Sequence, residues 1–183
     1  MIELLILLTV ASILLGLSLP VSASVVDEGR TKLAASFLSS RFRLARIEAV
    51  NRGMTVGVVF DTAAGKWTLR VCRDDNGNGL KRAEIASGTD TCFDGPHDFE
   101  ALFPGTSVWV DPRLIGPAGE PGNPDPVRFG TADIASFSPL GGGTAGSLFL
   151  RSARGLTYSV RLASNGRVRI FRYDVRPASW HQL

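Results

Sequence analysis

Chemistry has few places to start in this chain. It holds two histidines, His97 and His181, and two cysteines, Cys72 and Cys92. Neither cysteine sits in a reactive motif, and the two histidines are the only imidazole bases, which argues against a catalytic thiol. No Gly-x-Ser-x-Gly turn, no zinc-ligand spacing and no paired acids in a recognisable setting occur. Gly141-Gly142-Gly143 is not a phosphate loop, because no Gly-Lys-Ser/Thr follows and the run leads into a strand pattern. These residues speak against an enzyme and leave binding and assembly.

Three groups could do binding chemistry. Asp74-Asp75-Asn76-Gly77-Asn78-Gly79 opens like a calcium loop, with oxygens at alternate positions and a glycine sixth. Asp74, Asn76 and Asn78 would supply side-chain oxygens and Leu80 its carbonyl. The twelfth position holds Ile85, however, with Glu84 one short, and a tight polar turn explains the same letters. The second group is basic. The chain has 17 Arg against 3 Lys, and Arg151–Leu183 carries seven arginines against one acid, Asp174, although the whole chain is only +3. In a strand Arg167 and Arg169 share one face and Val168 and Ile170 the other, with Arg161 of the preceding strand beside them. Such a ridge would grip DNA phosphates without sequence preference and with steep salt dependence. It is equally read as a solvated sheet face or a contact for acidic neighbours. The third group is the cysteines: a Cys72–Cys92 bridge would close a 21-residue loop and add about 3 kcal/mol in the chain-entropy view.

Glu3 stands apart from these groups, because of where it lies. It opens IELLILLTVASILLGLSLP, and the next charge is Asp27. The 23 uncharged positions between them would span roughly 34 Å as a helix, against roughly 30 Å of bilayer hydrocarbon. A carboxylate at the end of such a run wants a cation. Val21-Ser22-Ala23 also fits a signal-peptide cleavage site, which would release a soluble interaction domain, but the basic start of a signal is missing.

The elements that would position these groups follow from periodicity. Residues 27–53 continue the helix amphipathically, with Val26, Leu33, Phe37, Leu44 and Ile47 within about 80° on the wheel, Arg43 and Arg46 pointing away, and Gly53 as a stop. From Met54 the period becomes two. TVGVVFD and KWTLRVCRD form a hairpin through TAAG, and SVWVD, VRFG, ASFSP, GSLFLRS, GLTYSVRLA and GRVRIFRYD read as strands. Asn165-Gly166 fits a type I′ turn. Residues 112–126 are a Pro/Gly loop. The expectation is α+β: residues 1–26 an apolar anchor, 27–53 its continuation, and 54–183 a sheet domain on which the helix packs.

The N-terminal run, with Glu3 and Pro20 at their spacing, resembles type IV pilins and type II secretion pseudopilins. LARIEAVNRGMTVGVVFD and the ending SPLGGGTAGSLFLRSARGLTYSVRLASNGRVRIFRYD are similar to the GspH/FimT group of minor pilins; residues 74–130 match loosely. The resemblance implies a minor pseudopilin of a type II secretion system. It would be a single-pass inner-membrane protein with its domain in the periplasm, assembling into a pseudopilus that supports protein secretion. Its partners would be other pilin or pseudopilin subunits, the inner-membrane assembly platform and a prepilin peptidase. Glu3 would pair with the N-terminal ammonium of a neighbouring subunit. The competence-pilus branch of the group adds a second implication, DNA uptake through the arginine hairpin. Family precursors carry a basic leader cut before a Phe that becomes methylated. That Phe would stand two positions ahead of Met1, so Met1 is read as part of a longer precursor or as a start placed too late. Neither reading calls for a cofactor beyond the calcium option.

Overall fold

The computed structural model describes residues 2–183, except for the side chains of residues 4–6 and 10–24 within the first helix. That helix, α1, runs unbroken over Ile2–Arg52. It ends where the residue pattern predicts: Gly53 takes φ 65°, and Met54 N–H reaches back to the Ala49 carbonyl at 3.2 Å, the longer of the two bonds of a Schellman stop. The apolar run read as an anchor falls largely on side chains outside the described residues. Among the described residues, no helix is long and apolar enough to cross a membrane.

Two antiparallel sheets pack on the C-terminal half of α1. The first has the order β3-β2-β1-β6, from β1 (Val56–Ala63), β2 (Lys66–Arg73), β3 (Thr91–Asp98) and β6 (Ile134–Phe137). The second runs β10-β9-β8-β7-β4, from β4 (Thr106–Val108), β7 (Gly146–Ser152), β8 (Thr157–Leu162), β9 (Val168–Asp174) and β10 (Ser179–Gln182). The short β5 (Val127–Arg128) shares the β7 edge with β4. Two small helices, α2 (Arg82–Ser87) and α3 (Phe99–Leu102), lie in the connections. The result is α+β.

The face of α1 that meets the sheets is for the most part not the predicted one, although Phe37 of the predicted stripe does pack on the core, its ring 5.5 Å from that of Phe103. Thr31, Ala34, Ala35, Leu38, Phe42, Ala45 and Ala49 are buried, while Val26, Leu33 and Ile47 are half or more exposed. The buried face lies roughly 150° round the helix from the expected stripe. Alanines let the helix axis sit close to two sheets at once. One large side chain, Phe42, fills the space between them, with the rings of Phe60, Phe129 and Phe137 at 6.2, 5.5 and 6.4 Å. Volume fit, not apolar bulk, chose the face.

Alternation along the strands then gives each sheet a second face. On β1, Val56, Val58 and Phe60 enter the common core, whereas Val59 joins Cys72, Ile85 and Ile134 in a smaller cluster under the 74–90 loop. On β7, Leu148 and Leu150 face α1, and Phe149 faces outward beneath the Pro/Gly segment, where Trp180 Nε1 donates to the Ile115 carbonyl at 2.8 Å. That segment is therefore a strap across the second sheet.

Candidate functional site

The β8–β9 hairpin is built differently from the expected two-residue turn. Asn165 is not left-handed. Ala163 N–H bonds the Arg167 carbonyl at 2.9 Å, Gly166 N–H bonds the Ala163 carbonyl at 2.9 Å, and only Gly166 has positive φ, 74°. This is a three-residue loop, Ser164-Asn165-Gly166, ending in a left-handed glycine. Asn165 Oδ1 selects it by accepting from Arg167 N–H at 3.1 Å. By contrast, the TAAG turn does carry two left-handed residues, Ala64 and Gly65.

Gly166 is also buried, and for a second reason. A Cβ there would collide with the Gly141 carbonyl oxygen and come within 2.9 Å of Arg46 Nε. The Gly141-Gly142-Gly143 segment is thus the seat of the hairpin. Arg46 Nε donates to the Gly141 carbonyl at 3.0 Å, and Gly143 N–H to the Ser164 carbonyl at 2.8 Å. Helix, glycine loop and hairpin turn meet at one point.

The three arginines of the ridge have separate fates. Arg161 and Arg169 are direct partners across the ladder. Arg161 is part-buried and ion-paired to Glu120 of the strap. Burial, and then the charge of Arg169, lower its proton affinity. Arg167 and Arg169 are exposed, and their guanidinium groups have no ion-pair or hydrogen-bond partner among the described residues. Between α1 and β9 lies a groove of about 730 Å³ lined by Arg167 and Arg169 and also by Arg43 and Arg46. The two helix arginines were not seen as part of the site. Their signal, a three-residue spacing on a helix followed by a basic hairpin, carries weight only once the helix face is known.

Cys72 and Cys92 are disulfide-bonded, directly opposite each other on β2 and β3. The bond closes off the 74–90 loop. There Asp74, 3% exposed, accepts N–H bonds from Gly77 (2.7 Å), Asn78 (3.2 Å) and Gly79 (2.7 Å). Asn76 and Asn78 point their amide nitrogens at Glu84, 2.9 and 3.0 Å away, and Leu80 packs into the small apolar cluster. The amides and Lys81 hold the Glu84 carboxyl below its usual range. The loop satisfies itself as a polar turn. Among the described residues, no group of three or more His, Cys, Asp or Glu is placed to hold a metal.

The histidines are structural in setting. His97 Nε2 meets Asp94 at 2.9 Å, and Arg41 Nη1 meets the same carboxylate at 2.6 Å, tying β3 to α1. His181 Nε2 lies 3.0 Å from Ser179 Oγ and 3.4 Å from Asp174. Both contacts use one ring nitrogen, so the trio cannot relay a proton from serine to carboxylate as a hydrolytic triad does. Glu3 is exposed in the first turn of α1. Farther along the helix, Glu28 holds Arg172 at 2.8 Å and contacts the Tyr158 hydroxyl at 3.4 Å. Arg172 also holds Asp174 at 3.0 Å.

A helix with an alanine face seated on two sheets, a GlyGlyGly seat and a basic closing hairpin follow one another from α1 to β9. The family model described as type II transport protein GspH matches residues 34–166, from the middle of that helix to the hairpin glycine. The chain belongs to the GspH family. Neither the curated proteins nor the solved structures offer a match. GspH membership makes this a pilin-like component of type II secretion in the general sense, with other pseudopilins as its kind of partner. Arg167 and Arg169 lie just beyond the matched segment.

Proposed function

We propose that this GspH protein is a minor pseudopilin subunit that assembles through α1 into a periplasmic pseudopilus and thereby supports protein secretion. One observation carries the reading: α1 has two apolar faces and its own domain uses one. Val25, Val26, Leu33, Ile47 and Val50 are 50–65% exposed on a helix whose alanine face is already covered. Large aliphatics on the side of the helix that its own sheets leave uncovered are a surface that a neighbouring helix would cover. In this reading the apolar run before Asp27 holds the subunit in the inner membrane until the assembly platform extracts it. Glu3 finds its cation in the N-terminal ammonium of the next subunit, once a prepilin peptidase has exposed that amine. The chemistry is association, and no turnover is involved.

The DNA-uptake alternative relies on Arg161, Arg167 and Arg169 as one ridge. Glu120 already occupies Arg161, which weakens it.

A photo-crosslinking residue placed at Leu33 or Ile47 tests the proposal in cells. Adducts to other pseudopilins are expected from both positions, and none from the buried Ala35. Replacing Glu3 with Ala should block incorporation while the domain stays folded. Secretion that survives deletion of the gene, or adducts that never contain a pilin-like subunit, would overturn the assignment.

A further inference from the structure

Asp27 marks a level on the molecule. It is the first charge after the 23 uncharged positions. One turn farther along α1, Thr31 is fully buried against the sheets. Two segments of the domain reach the same level. Arg154 N–H, in the turn between β7 and β8, donates to Asp27 Oδ2 at 3.2 Å, and Thr106 Oγ1 at the start of β4 meets Thr31 Oγ1 at 3.1 Å. The turn between β9 and β10 follows from register: Thr157 pairs with Tyr173, which brings Val175 level with Gly155. Together these turns form the end of the domain that faces the apolar run.

That end carries basic side chains and leaves them unpaired. Arg30 and Lys32 flank Thr31, each about 100° round the helix from the packed face. Helical side chains lean toward the helix N-terminus, which here means toward the apolar run. Arg154 and Arg176 stand on the two turns, and Arg113 borders the same cavity, about 360 Å³, as Gly155 and Val175. All five side chains are exposed, and none has an ion-pair or hydrogen-bond partner among the described residues. The acids of this end are engaged. Asp27 and Asp111 accept the backbone N–H groups of Arg154 and Arg113, and Glu28 and Asp174 share Arg172. With Arg172 counted, the basic residues still outnumber these four acids. Val175 adds an aliphatic tip, 75% exposed.

We propose, resting on the reading of the apolar run as a membrane anchor, that this end of the domain is a basic collar seated on anionic phospholipid. Lipid phosphates meet Arg30, Lys32, Arg113, Arg154 and Arg176, and Val175 enters the headgroup layer. Two observations select a bilayer over an acidic protein. The cations surround the helix at the one level where its uncharged run ends, and the anchor brings an anionic surface to that level without a separate encounter. Guanidinium groups also pair two N–H donors with phosphate oxygens, which gives the contact geometry as well as charge. The collar supplies what the anchor alone does not: a preference among lipids and a fixed stance of the domain. Extraction into a filament breaks these contacts, so the collar biases the subunit toward its membrane-resident state.

The test uses the full chain reconstituted into vesicles of phosphatidylcholine, with or without phosphatidylglycerol. Flotation with both kinds of vesicle checks the anchor. A photo-crosslinking residue at Val175 then reports the collar through phospholipid adducts read by mass spectrometry. The control position is Asn165, whose turn sits beside Arg46, 19 residues beyond Asp27 and so roughly 28 Å along the helix. Adducts at Val175 should rise about fivefold or more with phosphatidylglycerol, and fall back as far when Arg30, Arg154 and Arg176 are all replaced by Gln or when salt is raised. Replacement of the same three by Lys should keep most of the yield. These side chains are exposed and unpaired, so the variants fold, and circular dichroism verifies it. A chain that floats but gives no Val175 adduct overturns the collar and leaves the anchor. So do adducts indifferent to lipid charge or to the Gln changes, or adducts as abundant at Asn165. A chain that floats with neither vesicle overturns the anchor reading, and the collar with it.

Discussion

Gly166→Ala should be far more damaging than its control, Gly65→Ala. Both glycines end hairpin turns in the left-handed region, φ 74° and 75°. Forcing an L-residue there costs roughly 1–2 kcal/mol, partly offset by about 0.4–1 kcal/mol from a less flexible unfolded chain. At Gly65 that is the whole effect, because nothing lies within 4 Å of the added methyl. At Gly166 the methyl meets the Gly141 carbonyl oxygen and Arg46 Nε. The side chain can move, but the carbonyl belongs to a loop fixed by its own hydrogen bonds. Displacing it adds the roughly 1–3 kcal/mol typical of overpacking. The expected losses are about 1 kcal/mol at Gly65 and about 2–4 kcal/mol at Gly166. For a chain of this length that is a Tm drop of roughly 2–4 °C against roughly 5–15 °C. Thermal unfolding followed by circular dichroism on the full chain separates the two. Equal drops would refute the reasoning, because the hairpin would then not be seated on the glycine loop.

Other outcomes follow from the same geometry. The Tyr158 phenol is pushed up to about 12 by burial, with Glu28 adding to the shift. Its proton is held more tightly in the folded state, so its contribution is complete below about pH 10 and fades as pH rises from 10 to 12. Absorbance titration should show a tyrosine step near 12 that vanishes in Tyr158→Phe. Native protein should show no free thiol, and the Cys72→Ser/Cys92→Ser pair should lose about 2–4 kcal/mol. Asp74→Ala strands three N–H groups that now share one carboxylate and should cost on the order of 2–4 kcal/mol. Calcium should leave the wild-type Tm unmoved; a rise that grows with calcium concentration would show that the loop prefers an ion to its own amides.

Period and punctuation made much of this fold legible. The helix end at Gly53, the TAAG hairpin and strands β7, β8 and β9 follow from glycine placement and alternation, which are local properties of the chain. What escaped depends on partners far away in sequence. Strand β3, TCFDGPHD, lacks a hydrophobic period because it is an edge with no buried residue, held by the Cys72–Cys92 bond and by Asp94 pairing with Arg41 of α1. Strand β10 is four residues of mixed polarity held by Trp180. The helix face was misread because hydrophobic bulk and burial part company where a helix sits close to two sheets. There alanine wins by size, and leucine and isoleucine are left facing out.

That inversion bears on the arginines as well. Placing Leu33 and Ile47 in the core turns Arg43 and Arg46 toward open solvent; placing Ala45 and Ala49 there brings the two arginines round to β9. The basic hairpin then stops being an isolated ridge. It becomes one wall of a groove whose other wall is the helix, with Gly166 and the triple glycine holding the walls together. The charged residues of GRVR could be read from their spacing. Their setting could not, because it depends on which of two apolar faces the helix keeps for itself.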